Sequence, residues 1–169
     1  MYKQIIFFLF AVVLFSSCKK DEYGFMSKPY ADVPVEVSNR IAHYNGVPYV
    51  ETSKSGGGAI TIVLSIPANS GRTIKEITTV GTSTGIEDYR VVQSTTIAGS
   101  KYITAPIPAS GTSVTFTTSL TEYTAKTGAN PPATVGTNNS FLGRYFYFKL
   151  TLDNGQELIT VPVRIYENT

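Results

Sequence analysis

The stretch RYFYFKLTLDNGQELITVPVRIY, residues 144–166, decides the fold. In its first half Phe146, Phe148, Leu150 and Leu152 alternate with Tyr145, Tyr147, Lys149 and Thr151. In its second half Ile159, Val161, Val163 and Ile165 alternate with Thr160, Pro162, Arg164 and Tyr166. Alternation of this kind marks strands with one buried face. Asp153-Asn154-Gly155-Gln156 lies between, and Asn-Gly suits the positive φ values of a tight hairpin. A pairing that keeps every apolar residue on one face sets Leu150 opposite Ile159, Phe148 opposite Val161 and Phe146 opposite Val163. Pro162 has no N–H, so a two-residue loop would leave it in an incomplete hydrogen-bonded pair with Tyr147. The expectation is a four-residue loop closed by Leu152 and Glu157, or a bulge near Pro162, with the last strand at a sheet edge.

The same texture extends upstream. Val33, Val35 and Val37 alternate with polar neighbours and predict an edge strand carrying Pro34. Ser55-Gly56-Gly57-Gly58 reads as a turn before residues 59–66, where Ile60, Ile62, Leu64 and Ile66 share a face. Further strands are expected over 73–80, 89–96, 101–107 and 113–120, separated by turns at Gly71, Gly85, Gly99 and Gly111. Residues 124–143, with Gly128, Pro131, Pro132 and Gly136, read as a long loop. No convincing helix is expected after residue 17. Many short strands with frequent turns predict an all-β fold. Its expected form is a two-sheet antiparallel sandwich of Ig-like or fibronectin-like type over residues 32–169, with a closed barrel as the alternative.

The 169 residues suffice for one domain, and 14 Lys and Arg against 12 Asp and Glu include no basic cluster of the kind that binds nucleic acid. The single cysteine, Cys18, excludes an internal disulfide, a CxxC redox pair and a cysteine-rich zinc site. Its position is the informative feature. Lys3 precedes eleven apolar residues, IIFFLFAVVLF at 5–15. As a helix these would reach only about 16 Å, against a hydrocarbon core of about 30 Å. That is the length of a signal-peptide core. Ser16, Ser17 and Cys18 follow, then Lys19-Lys20-Asp21-Glu22. This segment resembles the lipobox of bacterial lipoproteins, with Phe15 where the family usually has Leu and Leu14 one position earlier. The resemblance implies a signal peptide over residues 1–17, cleavage before Cys18 and lipidation of the Cys18 sulfur with acyl chains of the palmitate type. Several acyl chains would anchor the protein stably to a membrane. Residues 18–31 then form a lipidated tether. Lys19 differs from the Asp of inner-membrane retention, and Lys20-Asp21-Glu22 resembles the tract that sends Bacteroidota lipoproteins to the surface. The expected location is the outer membrane, facing the exterior.

Chemistry is sparsely marked. His43 is the only histidine and reads as a surface or packing residue. The acidic pairs Asp21-Glu22 and Glu87-Asp88 fall in the tether and a loop, and no calcium-loop run of alternating oxygen ligands occurs. There is no GxSxG, and Gly56-Gly57-Gly58 lacks the lysine of a phosphate loop. No enzyme activity, cofactor or metal is expected. The candidate ligand face is the outward side of the last hairpin, Tyr145, Tyr147, Lys149, Arg164 and Tyr166, because aromatic faces and a guanidinium suit sugars or proteins. Lipobox, charged tether and the hairpin F-x-F-x-L-T-L-D-N-G-Q-E-L together resemble small β-sandwich lipoproteins of Bacteroidota. Many of these accompany nutrient importers of the starch-utilisation type. The resemblance implies a non-catalytic accessory that captures a glycan or other nutrient, or supports an importer complex. The alternative is a structural or adhesive protein-interaction module, and a glycan hydrolase comes third.

Overall fold

In the computed structural model the described residues are 33–94, 101–133 and 140–168. Cys18, the signal peptide of residues 1–17 and the tether of residues 18–31 lie outside them. The described residues are predominantly β. The strands are β1 (Glu36–Val37), β2 (Ala42–Tyr44), β3 (Val47–Ser53), β4 (Ala59–Ser65), β5 (Ile74–Ser83), β6 (Ile107–Pro108), β7 (Ser113–Ser119), β8 (Tyr145–Leu152), β9 (Glu157–Ile159) and β10 (Arg164–Asn168). Two α-helices, α1 (Arg90–Gln93) and α2 (Leu120–Thr127), and one short 3-10 turn at Ala68–Ser70 interrupt them. Three sheets form, in the orders β1-β4-β7, β10-β3-β2 and β6-β5-β8-β9. All pairings between these strands are antiparallel except that of β10 with β3, which is parallel.

All three sheets contribute to one core. Ile60, Ile62 and Leu64 of β4 are each at 0 % exposure, as their alternation requires. Burying each such side chain contributes about 1.5–3 kcal/mol. Phe116 of β7 reaches across to β8, with ring centroids 5.8 Å from Phe146 and 5.3 Å from Phe148. Val50 of β3 and Ile165 of β10 belong to the same cluster. Strand β5 joins it by an unusual route. Ile74, Ile77 and Val80 recur every third residue, yet they stand opposite Leu152, Leu150 and Phe148, which recur every second. Two bulges, between Ile74 and Glu76 and between Ile77 and Thr79, each absorb one residue and return the next apolar side chain to the core.

Of the edge strand expected at Val33–Val37 only Glu36 and Val37 form a strand, β1 at the border of its sheet, and Pro34 lies outside it. The last hairpin differs from expectation near its turn. Leu150 pairs with Leu158, not Ile159, and Thr151 pairs with Glu157. The loop has three residues, Asp153 to Gly155, rather than four. The Leu152 N–H donates to the Gln156 carbonyl at 2.9 Å, and the Gly155 N–H donates to the Leu152 carbonyl at 3.0 Å. Gly155, at φ 83°, supplies the left-handed residue that such a loop needs. One residue fewer in the loop exchanges the faces of β9. Leu158 turns inward, while Val161, expected opposite Phe148, is 50 % exposed. Phe146 and Val163 do pair as expected, donating to each other at 2.9 and 2.8 Å. Three residues, 160–162, span the distance that Tyr147 and Phe148 span on β8, so the extra residue is a bulge beside Pro162.

Other expectations are also corrected. Residues 89–96 do not form a strand: 90–93 make α1, and 95–96 lie outside the described residues. Only Ile107 of the segment 101–107 lies in a strand, together with Pro108, and Lys101 makes a single bridge to Gly81. The supposed loop 124–143 begins inside α2, and Phe141 bridges Tyr166 on β10; residues 134–139 lie outside the described residues. Helix α2, not expected at all, is capped at both ends. The Ser119 hydroxyl accepts the Glu122 N–H, and Gly128 closes the helix at φ 68°.

Candidate functional site

The five residues of the expected face do not stay together. Tyr147 is at 0 % exposure, packed with Val91 and Val92 of α1 in a second, smaller core. Its hydroxyl donates to the Gly85 carbonyl and accepts the Asp88 N–H at 3.3 Å. Burial pushes this phenol up to about 12. Lys149 lies on the β6-β5-β8-β9 sheet, paired with Glu157 at 3.0 Å. Arg164 and Tyr166 share the outer face of the β10-β3-β2 sheet with Tyr44, Tyr49 and Phe141, which the sequence analysis did not select. Tyr145, at the start of β8 and packed against the Val91–Val92–Tyr147 cluster, reaches Arg164 from the neighbouring sheet.

The hairpin of β2 and β3 builds one side of this face. Asn45 at φ 52° and Gly46 at φ 79° occupy the left-handed region and form a two-residue turn between Tyr44 and Val47, which pair. Asn45-Gly46 is a hairpin signal that the sequence reading passed over. The register then places Tyr49 opposite Ala42 on one side and Arg164 on the other, and Glu51 beside Tyr166. Phe141 completes the row through its bridge to Tyr166. Cross-strand partners share a face, so Tyr44, Tyr49, Phe141 and Tyr166 converge. Phe141 has ring centroids 4.9 Å from Tyr44, 5.5 Å from Tyr49 and 5.1 Å from Tyr166, the last two edge to face.

Arg164 lies at the centre. Its Cζ is 4.0 Å from the Phe141 centroid, 5.1 Å from that of Tyr145 and 5.3 Å from that of Tyr44. Cation–π attraction favours each of these contacts. The Phe146–Val163 pairing is what brings Tyr145 next to Arg164, at the point where the chain passes from one sheet to another. The Nε of Arg164 is sealed from solvent and has no hydrogen-bond acceptor. No described carboxylate is within ion-pair distance of this guanidinium, whereas Arg40, Arg90, Lys126 and Lys149 each have one. The acid on the same face, Glu51, takes the Asn168 amide at 3.4 Å instead. The arrangement is a cation held among rings, with Tyr44 the most open of them at 37 % exposure. It can offer ring faces to an apolar surface and N–H donors to an acceptor.

Groups that could carry covalent or metal chemistry do not converge elsewhere among the described residues. His43 is exposed on β2. No cluster of three or more His, Cys, Asp or Glu side chains is placed to hold a metal ion. Ser83 donates to Asp88 at 2.8 Å and Arg90 approaches it at 3.0 Å. These bonds, that from Ser83 first, hold the Asp88 carboxyl below its ordinary range. With no histidine beside them, Ser83 and Asp88 tie down the loop before α1. An open groove of about 410 Å³ is lined by Thr78, Thr79, Lys101, Ile103 and Thr104. Its wall carries no aromatic ring, unlike the Arg164 face. The chain matches no known family model, and neither a curated protein nor a solved structure resembles it closely enough to match.

Proposed function

We propose that the chain is an outer-membrane lipoprotein, cut after residue 17 and acylated on Cys18, whose domain is a non-catalytic module capturing a glycan at the cell exterior. Its companion would be an outer-membrane importer of the starch-utilisation type. The observation that carries the capture reading is the Arg164-centred aromatic face, since one exposed ring, Tyr44, and half-buried neighbours grouped around a donor are a surface suited to pyranose rings. The N-terminal segment carries the anchoring reading. An Ig-like sandwich is the fold type favoured by the packing of Phe116 on β7 against Phe146 and Phe148 on β8.

Two measurements test this function. Whole cells expressing wild type or Cys18→Ala are treated with protease and fractionated. The wild type is expected to be cell-associated and digested, and the variant released; a variant anchored like wild type refutes the lipid anchor. The full chain is then run by affinity electrophoresis through gels containing neutral or acidic polysaccharides. Retardation by at least one, weakened by Tyr44→Ala, supports capture. Absence of retardation, with an importer or adhesin subunit recovered by crosslinking on cells, favours a structural role instead.

A further inference from the structure

We infer that the Arg164 face selects a sugar acid, a hexuronate residue of a polysaccharide, with Arg164 gripping the carboxylate and Tyr44 supporting the sugar ring. This inference rests on the capture reading and names the ligand class for the same face.

The argument starts from what Arg164 lacks. Three rings surround its guanidinium at 4.0 to 5.3 Å. They attract the positive charge but supply no lone pair to its in-plane N–H groups. Nε is sealed from solvent and out of a ligand's reach, but the two terminal nitrogens are not sealed, and no described residue accepts a hydrogen bond from them. A guanidinium has five N–H donors in a rigid fork, and its best complement is a planar anion with two oxygens. The rings on one side lower the local dielectric and strengthen such a pair. Glu51, the acid of this face, is occupied by Asn168 and is two residues along β3 from the register partner of Arg164. The protein leaves the complement for a ligand to supply.

The rings decide which carboxylate fits. Tyr44 is the most exposed of them and lies 5.3 Å from the Arg164 Cζ. In a hexuronate the carboxyl carbon is bonded directly to the sugar ring. An apolar face for Tyr44 and a carboxylate for Arg164 therefore arrive as one rigid unit. An Asp or Glu side chain presents its carboxylate on flexible methylenes, with no face to lay on Tyr44. The hydroxyls of Tyr49 and Tyr145 make no hydrogen bond to described residues, so they can serve the sugar hydroxyls.

The test uses the full chain purified in detergent and isothermal titration calorimetry against polygalacturonate, alginate and heparosan, three uronate polysaccharides of different ring stereochemistry. Each is paired with its carboxyl-reduced, neutral form. At least one uronate polymer is expected to bind, and carboxyl reduction to weaken it by about tenfold or more. Arg164→Gln is expected to cause a similar loss. Arg164→Lys, which keeps the charge without the fork, should also lose most of the affinity, and Tyr44→Ala should weaken binding while leaving the thermal melt intact. Lys149→Gln removes a positive charge from another sheet and should bind as wild type does. Equal affinity for the reduced polymers, or undiminished binding by Arg164→Gln, overturns the inference. So does a Lys149→Gln loss as large as that of Arg164→Gln, or polyglutamate binding as tight as the best uronate. Binding of neutral polysaccharides alone, dependent on Tyr44, overturns it while sparing glycan capture; binding of no polysaccharide overturns both.

Discussion

Tyr147 alternates with core phenylalanines and, on pattern alone, belongs on a surface. It is instead covered by Val91 and Val92 of α1. Alternation reports that two faces differ in polarity, and a tyrosine satisfies either setting provided its hydroxyl finds partners. Tyr147 and Tyr102 are each pushed up to about 12 by burial, whereas an unfolded tyrosine titrates near 10. The folded chain therefore holds both protons longer than the unfolded chain does. Their stabilisation is complete below about pH 10 and is lost as pH rises towards 12. Melting temperature should stay level up to about pH 10 and then fall, with a shallower fall in Tyr147→Phe; an unchanged slope in that variant refutes the assignment. Glu167 presents the opposite case, at 0 % exposure with neither carboxylate oxygen hydrogen-bonded. Leaving such a group buried costs about 1–3 kcal/mol or more. Glu167→Met should therefore raise the urea midpoint, and a lower midpoint would reveal a partner for the carboxylate.

At the scale of elements, local chemistry was readable where it was self-contained. The 59–66 strand needed only its own alternation, and Ile60, Ile62, Leu64 and Ile66 are buried as expected. Helix α2 was legible but overlooked. Ser119-x-x-Glu122 is the sequence signature of a capping box, of which the structure forms the Ser119 half, and Gly128 is the matching stop, yet the Thr-rich stretch before it favours strand. Ser119→Ala should destabilise the domain by about 1 kcal/mol in urea denaturation, with Ser119→Asp close to wild type. Should Ser119→Ala have no effect, the cap does not hold the helix. The two Asn-Gly pairs teach a different lesson. Asn45-Gly46 makes a two-residue turn, whereas Asn154-Gly155 sits in a three-residue loop with only Gly155 at positive φ. The dipeptide announces a hairpin in both places, but the flanking strands choose the loop length. The spacing of Ile74, Ile77 and Val80 has no reading within β5 alone, because it makes sense only against the shorter spacing on β8.

At the scale of the whole molecule, the decisive event is the departure of the chain from one sheet to another after Val163. Residues 157–159 pair with β8, and residues 164–168 pair in parallel with β3, far away in sequence. A chain ended after Pro162 loses β10, and with it Val163 and Ile165 from the core. It should lose its cooperative thermal transition and near-ultraviolet dichroism; retention of the wild-type midpoint would make β10 peripheral. This same exchange creates the candidate site, since it is β10 that carries Arg164 and Tyr166 to Tyr49 and Phe141. By itself the sequence determined the β character, the inward faces of β4 and β8 and the presence of turns. Those follow from periodicity and backbone preference within a few residues. The sheet order, the burial of Tyr147 and the assembly of the Arg164 face were decided by tertiary structure. Each depends on which distant strand supplies the hydrogen bonds that a given edge lacks, and alternation along one strand carries no record of its partner.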